Sequence, residues 1–198
     1  EQFYNKLHQD HVNLRVYSSE CARLITPYKG TYKYSLLRRT CAQVVKYLKT
    51  TYTKLKKEEL KYNHCILLNY WIYSRLVNIF HTENSSVIAP ALGEFELIWN
   101  DIVDKSPDKT LYNKCKPDNT IVRQKDWRQR KALYDYFVNY DTIEKTLQNY
   151  KDICPEYWSY VESHTSLYKY FEELCAKDKD QCPEFYIQCK QYDPKDVL

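Results

Sequence analysis

Apolar residues recur along this chain at three- and four-residue intervals, and that period predicts helices almost from end to end. Phe3, Leu7, Val12, Leu14 and Tyr17 lead on to Cys21, Leu24 and Ile25, an amphipathic helix that Thr26-Pro27 should close. A second helix is predicted over 35–49, with Leu37, Cys41, Val44, Val45 and Leu48 as its inner stripe. A third, over 57–80, is apolar nearly all round and so belongs at the centre of a core. The polar stretch 81–86 (HTENSS) separates it from a fourth helix over 89–103, marked by Leu92, Phe95, Ile98, Trp99 and Ile102.

Residues 104–120, with Pro107, Pro117 and several Asp, Asn and Lys residues, read as a break between two halves. Asp126 then offers an N-cap, with Gln129 in the capping-box position, for a helix to about residue 150. Cys154-Pro155-Glu156 is a fresh start, since proline suits the first helical turn and glutamate its positive end. Trp158, Val161, Leu167, Tyr170, Phe171 and Leu174 carry that helix to about 176. Cys182-Pro183-Glu184 repeats the signal for a short last helix to 191. The expectation is an all-α bundle of about seven helices. It forms one domain, or two closely packed subdomains 1–104 and 121–198 joined by loop 105–120.

Composition narrows the function classes. Two glycines, Gly30 and Gly93, leave no room for a Walker A loop or a dinucleotide fingerprint, and few Gly-dependent hairpins. Twenty-one tyrosines suit helical cores in which each ring is buried and its hydroxyl finds water or a polar partner. No methionine stands at position 1, so the chain is expected to begin inside a longer precursor. The stretch 65–80 is too short and too interrupted for a membrane span.

Eight cysteines remain: Cys21, Cys41, Cys65, Cys115, Cys154, Cys175, Cys182 and Cys189. No two stand close enough for a zinc or redox pair, so they read as a disulfide framework, and disulfides place the chain in an oxidising compartment. Buried inert thiols are the alternative. Any two of Cys21, Cys41 and Cys65 reach similar heights on the first three helices. Cys182 and Cys189 lie about 10 Å apart along one helix, too far to bond each other, while Cys175 can close onto either. If all eight pair internally, an odd number of bridges links the three cysteines before the break to the five after it begins. Cys115 is the expected crossing partner.

Other candidate chemistry is thin. His8 and His11 lack a third ligand at diagnostic spacing, and a surface pair is preferred to a metal site. His64 beside Cys65 could form a thiolate–imidazole pair only if Cys65 were free. No catalytic or nucleotide motif is present, so no enzyme, cofactor or metal is expected. Lysines cluster between Lys46 and Lys61 (KYLKTTYTKLKKEELK), as a solvated helix end or a patch for glycans or nucleic acid. Disulfides argue against the nuclear version. Asn84-Ser85-Ser86 is a glycosylation sequon.

The segment Cys65-Ile-Leu-Leu-Asn-Tyr-Trp-Ile-Tyr73 is the most distinctive in the chain. It is followed by Trp127-Arg-Gln-Arg-Lys-Ala-Leu-Tyr-Asp-Tyr136, Asn139-Tyr-Asp-Thr142, Leu167-Tyr-Lys-Tyr-Phe171, Cys182-Pro-Glu-Phe185 and Tyr192-Asp-Pro194. Together these resemble the variant interspersed-repeat (VIR) proteins of the malaria parasite Plasmodium vivax, within the PIR superfamily. An acid commonly follows the Tyr-Trp-Ile-Tyr core in that family, where Ser74 stands here. The resemblance implies a non-enzymatic variant antigen, exported to the infected red cell and surface-exposed or secreted. It implies roles in adhesion and immune evasion, with a host surface protein or glycan and host antibodies as partners. It also implies a membrane anchor beyond Leu198. A scaffold module in an exported compartment is the alternative. The motif itself reads as core: Leu67, Tyr70, Trp71 and Ser74 share one helical face, and Leu68, Ile72 and Leu76 an adjoining one. Trp127, Tyr134 and Phe137 read the same way, which leaves the ligand-binding face unmarked.

Overall fold

The computed structural model describes residues 2–8, 13–22, 28–54, 62–109, 113, 115–149 and 154–196. It is all-α and disulfide-stapled, with no strand among the described residues. The chain divides into two compact units, 1–125 and 126–198.

The first unit contains α1 (Gln2–His8), α2 (Leu14–Tyr17), α3 (Tyr32–Lys46), α4 (His64–Phe80) and α5 (Ser85–Lys105). Helix α3 runs on into a π-helical turn, Tyr47–Thr51, and a 3-10 turn, Tyr52–Lys54; a further 3-10 turn spans Asn119–Arg123. The single helix expected over 3–25 is broken. Asn13 takes the left-handed conformation at φ 68°, so no single α-helix runs through it into α2. Helix α4 is the expected core element, with most of both flanks buried. Its predicted start at 57 lies outside the described residues. Asn63 caps its N-terminus by accepting the Cys65 N–H at 3.0 Å.

Helix α5 starts four residues earlier than the periodicity suggests. Asn84 accepts the Ser86 N–H at 3.0 Å, so the sequon asparagine is an N-cap and the helix runs through Pro90. Leu37 and Val45 from α3, Leu48 from the π-helical turn after it, Leu68 and Leu76 from α4, and Phe95 and Trp99 from α5 make the core. Each such side chain fully withdrawn from water contributes roughly 1.5–3 kcal/mol before entropy is counted.

The second unit contains α6 (Trp127–Asn149), α7 (Cys154–Ser163), α8 (Thr165–Lys177) and α9 (Tyr186–Lys190). The one helix expected over 154–176 is two. Ser163 Oγ donates to the Tyr160 carbonyl at 2.6 Å, and His164 Nδ1 lies 2.7 Å from the same oxygen. Side chains thus compete with the backbone for that acceptor, and the His164 N–H turns to Val161 at i−3. The break resets the helical phase: Trp158 and Tyr170 are about two-fifths exposed, while Val161, Tyr168 and Phe171 are buried.

Candidate functional site

The distinctive motif on α4 builds a buried node rather than a ligand pocket. Leu67, Leu68, Tyr70, Trp71, Ile72 and Tyr73 are all buried. Asn69, the polar residue among them, donates through Nδ2 to the carbonyls of Cys65 at 2.9 Å and Lys116 at 2.8 Å. Its Oδ1 accepts the Asp118 N–H at 2.9 Å. Trp99 Nε1 donates to the Cys115 carbonyl at 3.1 Å, and Tyr70 reaches the Gln124 side chain at 3.1 Å. The Cys65–Cys115 disulfide closes the same node, with Cα atoms 5.0 Å apart. Residues 115–118, expected in a loop between halves, are therefore clamped to α4 of the first unit.

The other cysteines follow the helical geometry. Cys21 pairs with Cys41, and Cys175 with Cys182. The Cys154 side chain lies outside the described residues. Cys189, expected in a bridge, is instead a fully buried thiol, and burial pushes its pKa up. It sits on a one-turn helix whose Cys189 carbonyl accepts the Tyr168 hydroxyl at 3.0 Å.

His64 serves structure. Its Nδ1 lies 3.3 Å from the Tyr47 hydroxyl, its ring stands edge-on to Phe3, and its neighbour Cys65 is oxidised. The His8 side chain and all of His11 lie outside the described residues. No group of three metal-ligating side chains occurs among the described residues. An open pocket of about 630 Å³ at the end of α4 is lined by Val77, Asn78, His81, Thr82 and Glu83.

Trp127, Tyr134 and Phe137 are buried in the second unit, as their pattern suggested. Arg130 is buried with them. Its Nε bonds Asp126 at 2.7 Å and its Nη2 the Gln181 carbonyl at 2.6 Å. Asp126, expected as a capping-box residue, also accepts the Tyr170 hydroxyl at 3.1 Å. Tyr136 is fully buried, with the His164 ring stacked on it at 4.6 Å between centroids. Desolvation lowers the His164 pKa against the opposing pull of the Tyr160 carbonyl and Asp135.

Both units thus spend their distinctive residues on packing, covalent closure and internal hydrogen bonds. A family model described as Plasmodium vivax Vir protein matches residues 1–198. The chain belongs to the Vir family. No curated protein and no solved structure matches it. Vir membership makes the chain a variant surface antigen family member, in a family not known for enzymatic activity. Among the described residues of this Vir chain, no helix is long and apolar enough to cross a membrane. Six bridged cysteines, the α4 motif and the tyrosine-rich segments were legible as structural residues. The roles of Asn69 and Arg130 were not, because one asparagine in an apolar run, or one arginine in the polar run 128–131, carries no periodic signal.

Proposed function

We propose that this Vir chain is the displayed part of a variant antigen of the infected red cell, meeting host surface molecules and host antibodies through its exposed faces. The observation that carries the reading is covalent. Three disulfides join six of the cysteines, and such bonds persist in oxidising compartments. The burial of the motif supports it further. With the fold held by α4, the disulfides and the tyrosine core, exposed positions can change for about half a kcal/mol or less each. That freedom suits an antigen that varies on the outside while keeping one scaffold.

Membrane-impermeant biotinylation of intact infected cells, followed by mass spectrometry of this chain, tests the reading. Labelled lysines on intact cells are expected. Label that appears only after permeabilisation overturns display and assigns the chain to a scaffold inside an exported compartment.

A further inference from the structure

One tripeptide in the chain fits Asn-x-Ser/Thr with x other than proline, Asn84-Ser85-Ser86. It lies where α4 gives way to α5, and all three residues are exposed. Its asparagine is also the N-cap of α5, a helix anchored one turn on by the fully buried Ile88. An N-cap and a glycan acceptor make different demands on the same amide. The cap needs the oxygen, and the glycan needs the nitrogen.

The two demands do not collide. The Asn84 N–H donates to Thr82 Oγ1 at 3.1 Å. Its carbonyl accepts the Val87 and Ile88 N–H groups at 3.0 Å and 3.2 Å. Its Oδ1 accepts the Ser86 N–H at 3.0 Å, and because that partner is a donor, the amide turns its oxygen to the helix. Only Nδ2 is left over, and it makes no hydrogen bond among the described residues. Ser86 gives the cap its backbone N–H alone, and its hydroxyl has no partner among the described residues either.

We propose that Asn84 carries an N-linked glycan, attached as the chain passes along the secretory route. The donor class is an N-acetylglucosamine-based sugar joined through diphosphate to a polyprenyl lipid. Asn84 Nδ2 bonds to C1 of the sugar as the C1–O bond breaks. The lipid diphosphate leaves with that bond's electron pair, and the amide gives up one of its two protons. The glycosylated amide keeps Oδ1, so the Ser86 N–H keeps its acceptor and α5 keeps its cap. From an exposed nitrogen the sugars extend into solvent, next to the open pocket whose lining ends at Thr82 and Glu83. The three disulfides call for the same oxidising route. The inference rests on the display proposed above, which requires that route.

The test is peptide mass spectrometry of this chain from infected red cells and of the same chain secreted by cultured insect cells. Trypsin releases Asn84 within peptide 76–105, since no lysine or arginine lies between Arg75 and Lys105. The peptide from both sources is expected to carry N-acetylhexosamine on Asn84. In the insect-cell chain Ser86→Ala should abolish the modification and Ser86→Thr should keep it. Both variants should keep the helical circular dichroism of the enzymatically deglycosylated parent, because the cap uses only the N–H of residue 86. A bare Asn84 from either source overturns the proposal, and so does a Ser86→Ala chain still modified there. Helicity lost in Ser86→Ala overturns the separation of cap from acceptor on which the proposal stands. A bare Asn84 on a surface-biotinylated chain overturns the glycan alone. A glycosylated chain labelled only after permeabilisation overturns display alone.

Discussion

Asn69 on α4 holds Asp118, 49 residues away, by accepting its backbone N–H at 2.9 Å while donating to the Lys116 carbonyl at 2.8 Å. One amide thus satisfies two backbone groups of a proline-containing segment with no helix of its own. Because Asn69 is itself buried, its donor and acceptor both need partners, and only this segment and the Cys65 carbonyl supply them.

Replacing Asn69 with leucine should cost about 2–4 kcal/mol, since the Lys116 carbonyl and the Asp118 N–H lose their partner together. Urea denaturation with the disulfides intact measures the loss. Asn69→Asp should also destabilise, because it removes the donor and buries a charge. A leucine variant as stable as the parent would show that the node is held by the bridge alone.

The two shortest-spaced and longest-spaced bridges should differ in worth. Cys65–Cys115 closes a separation of 50 residues and Cys175–Cys182 one of 7. The chain-entropy model gives about 4 kcal/mol for the first and about 2 kcal/mol for the second. Paired Cys→Ala variants of each bridge, compared by urea unfolding, should keep that order.

The Cys189 thiol should resist alkylation in the folded chain. It is fully buried, and burial disfavours its thiolate, the reactive form. Iodoacetamide at neutral pH is expected to modify Cys189 only after denaturation, as read by peptide mass spectrometry. Rapid native labelling would place it at the surface.

His164 should make the second unit acid-sensitive. Its folded pKa lies below the ordinary imidazole value of 6.5, so below that value the unfolded chain binds more protons than the folded one. Stability is therefore whole above pH 6.5 and declines as pH falls toward the folded pKa. The groups facing the ring are Tyr136, Tyr160, Ser163 and Asp135; the Tyr160 carbonyl and Asp135 favour the imidazolium, and desolvation outweighs them. Melting temperature should drop between pH 7 and pH 5.5, and His164→Gln should flatten that part of the profile.

Much of the fold was legible because burial is written in periodicity. The stripe of Leu37, Cys41, Val44 and Val45 on α3, continued by Leu48 in the turn after it, is buried as its spacing predicted, and so is nearly all of the α4 motif. What misled the pattern were single residues acting through local geometry. Asn13 breaks the first helix by a positive φ, and His164 breaks another by joining Ser163 at one carbonyl. Asn84 extends α5 as a cap. None of these leaves a trace in hydrophobic spacing.

The sequence by itself determined the helical class, the Vir family and the framework character of most cysteines. Those follow from composition, residue type and period, which act over a few turns of chain. Only the tertiary structure decided which sulfurs meet, that residues 115–118 belong to the first unit, and that Cys189 is a buried thiol. Those depend on how α4 meets a segment some 50 residues on. Eight cysteines specify that bridges form, but pairing is set by where Asn69, Trp99 and the helix faces bring each sulfur.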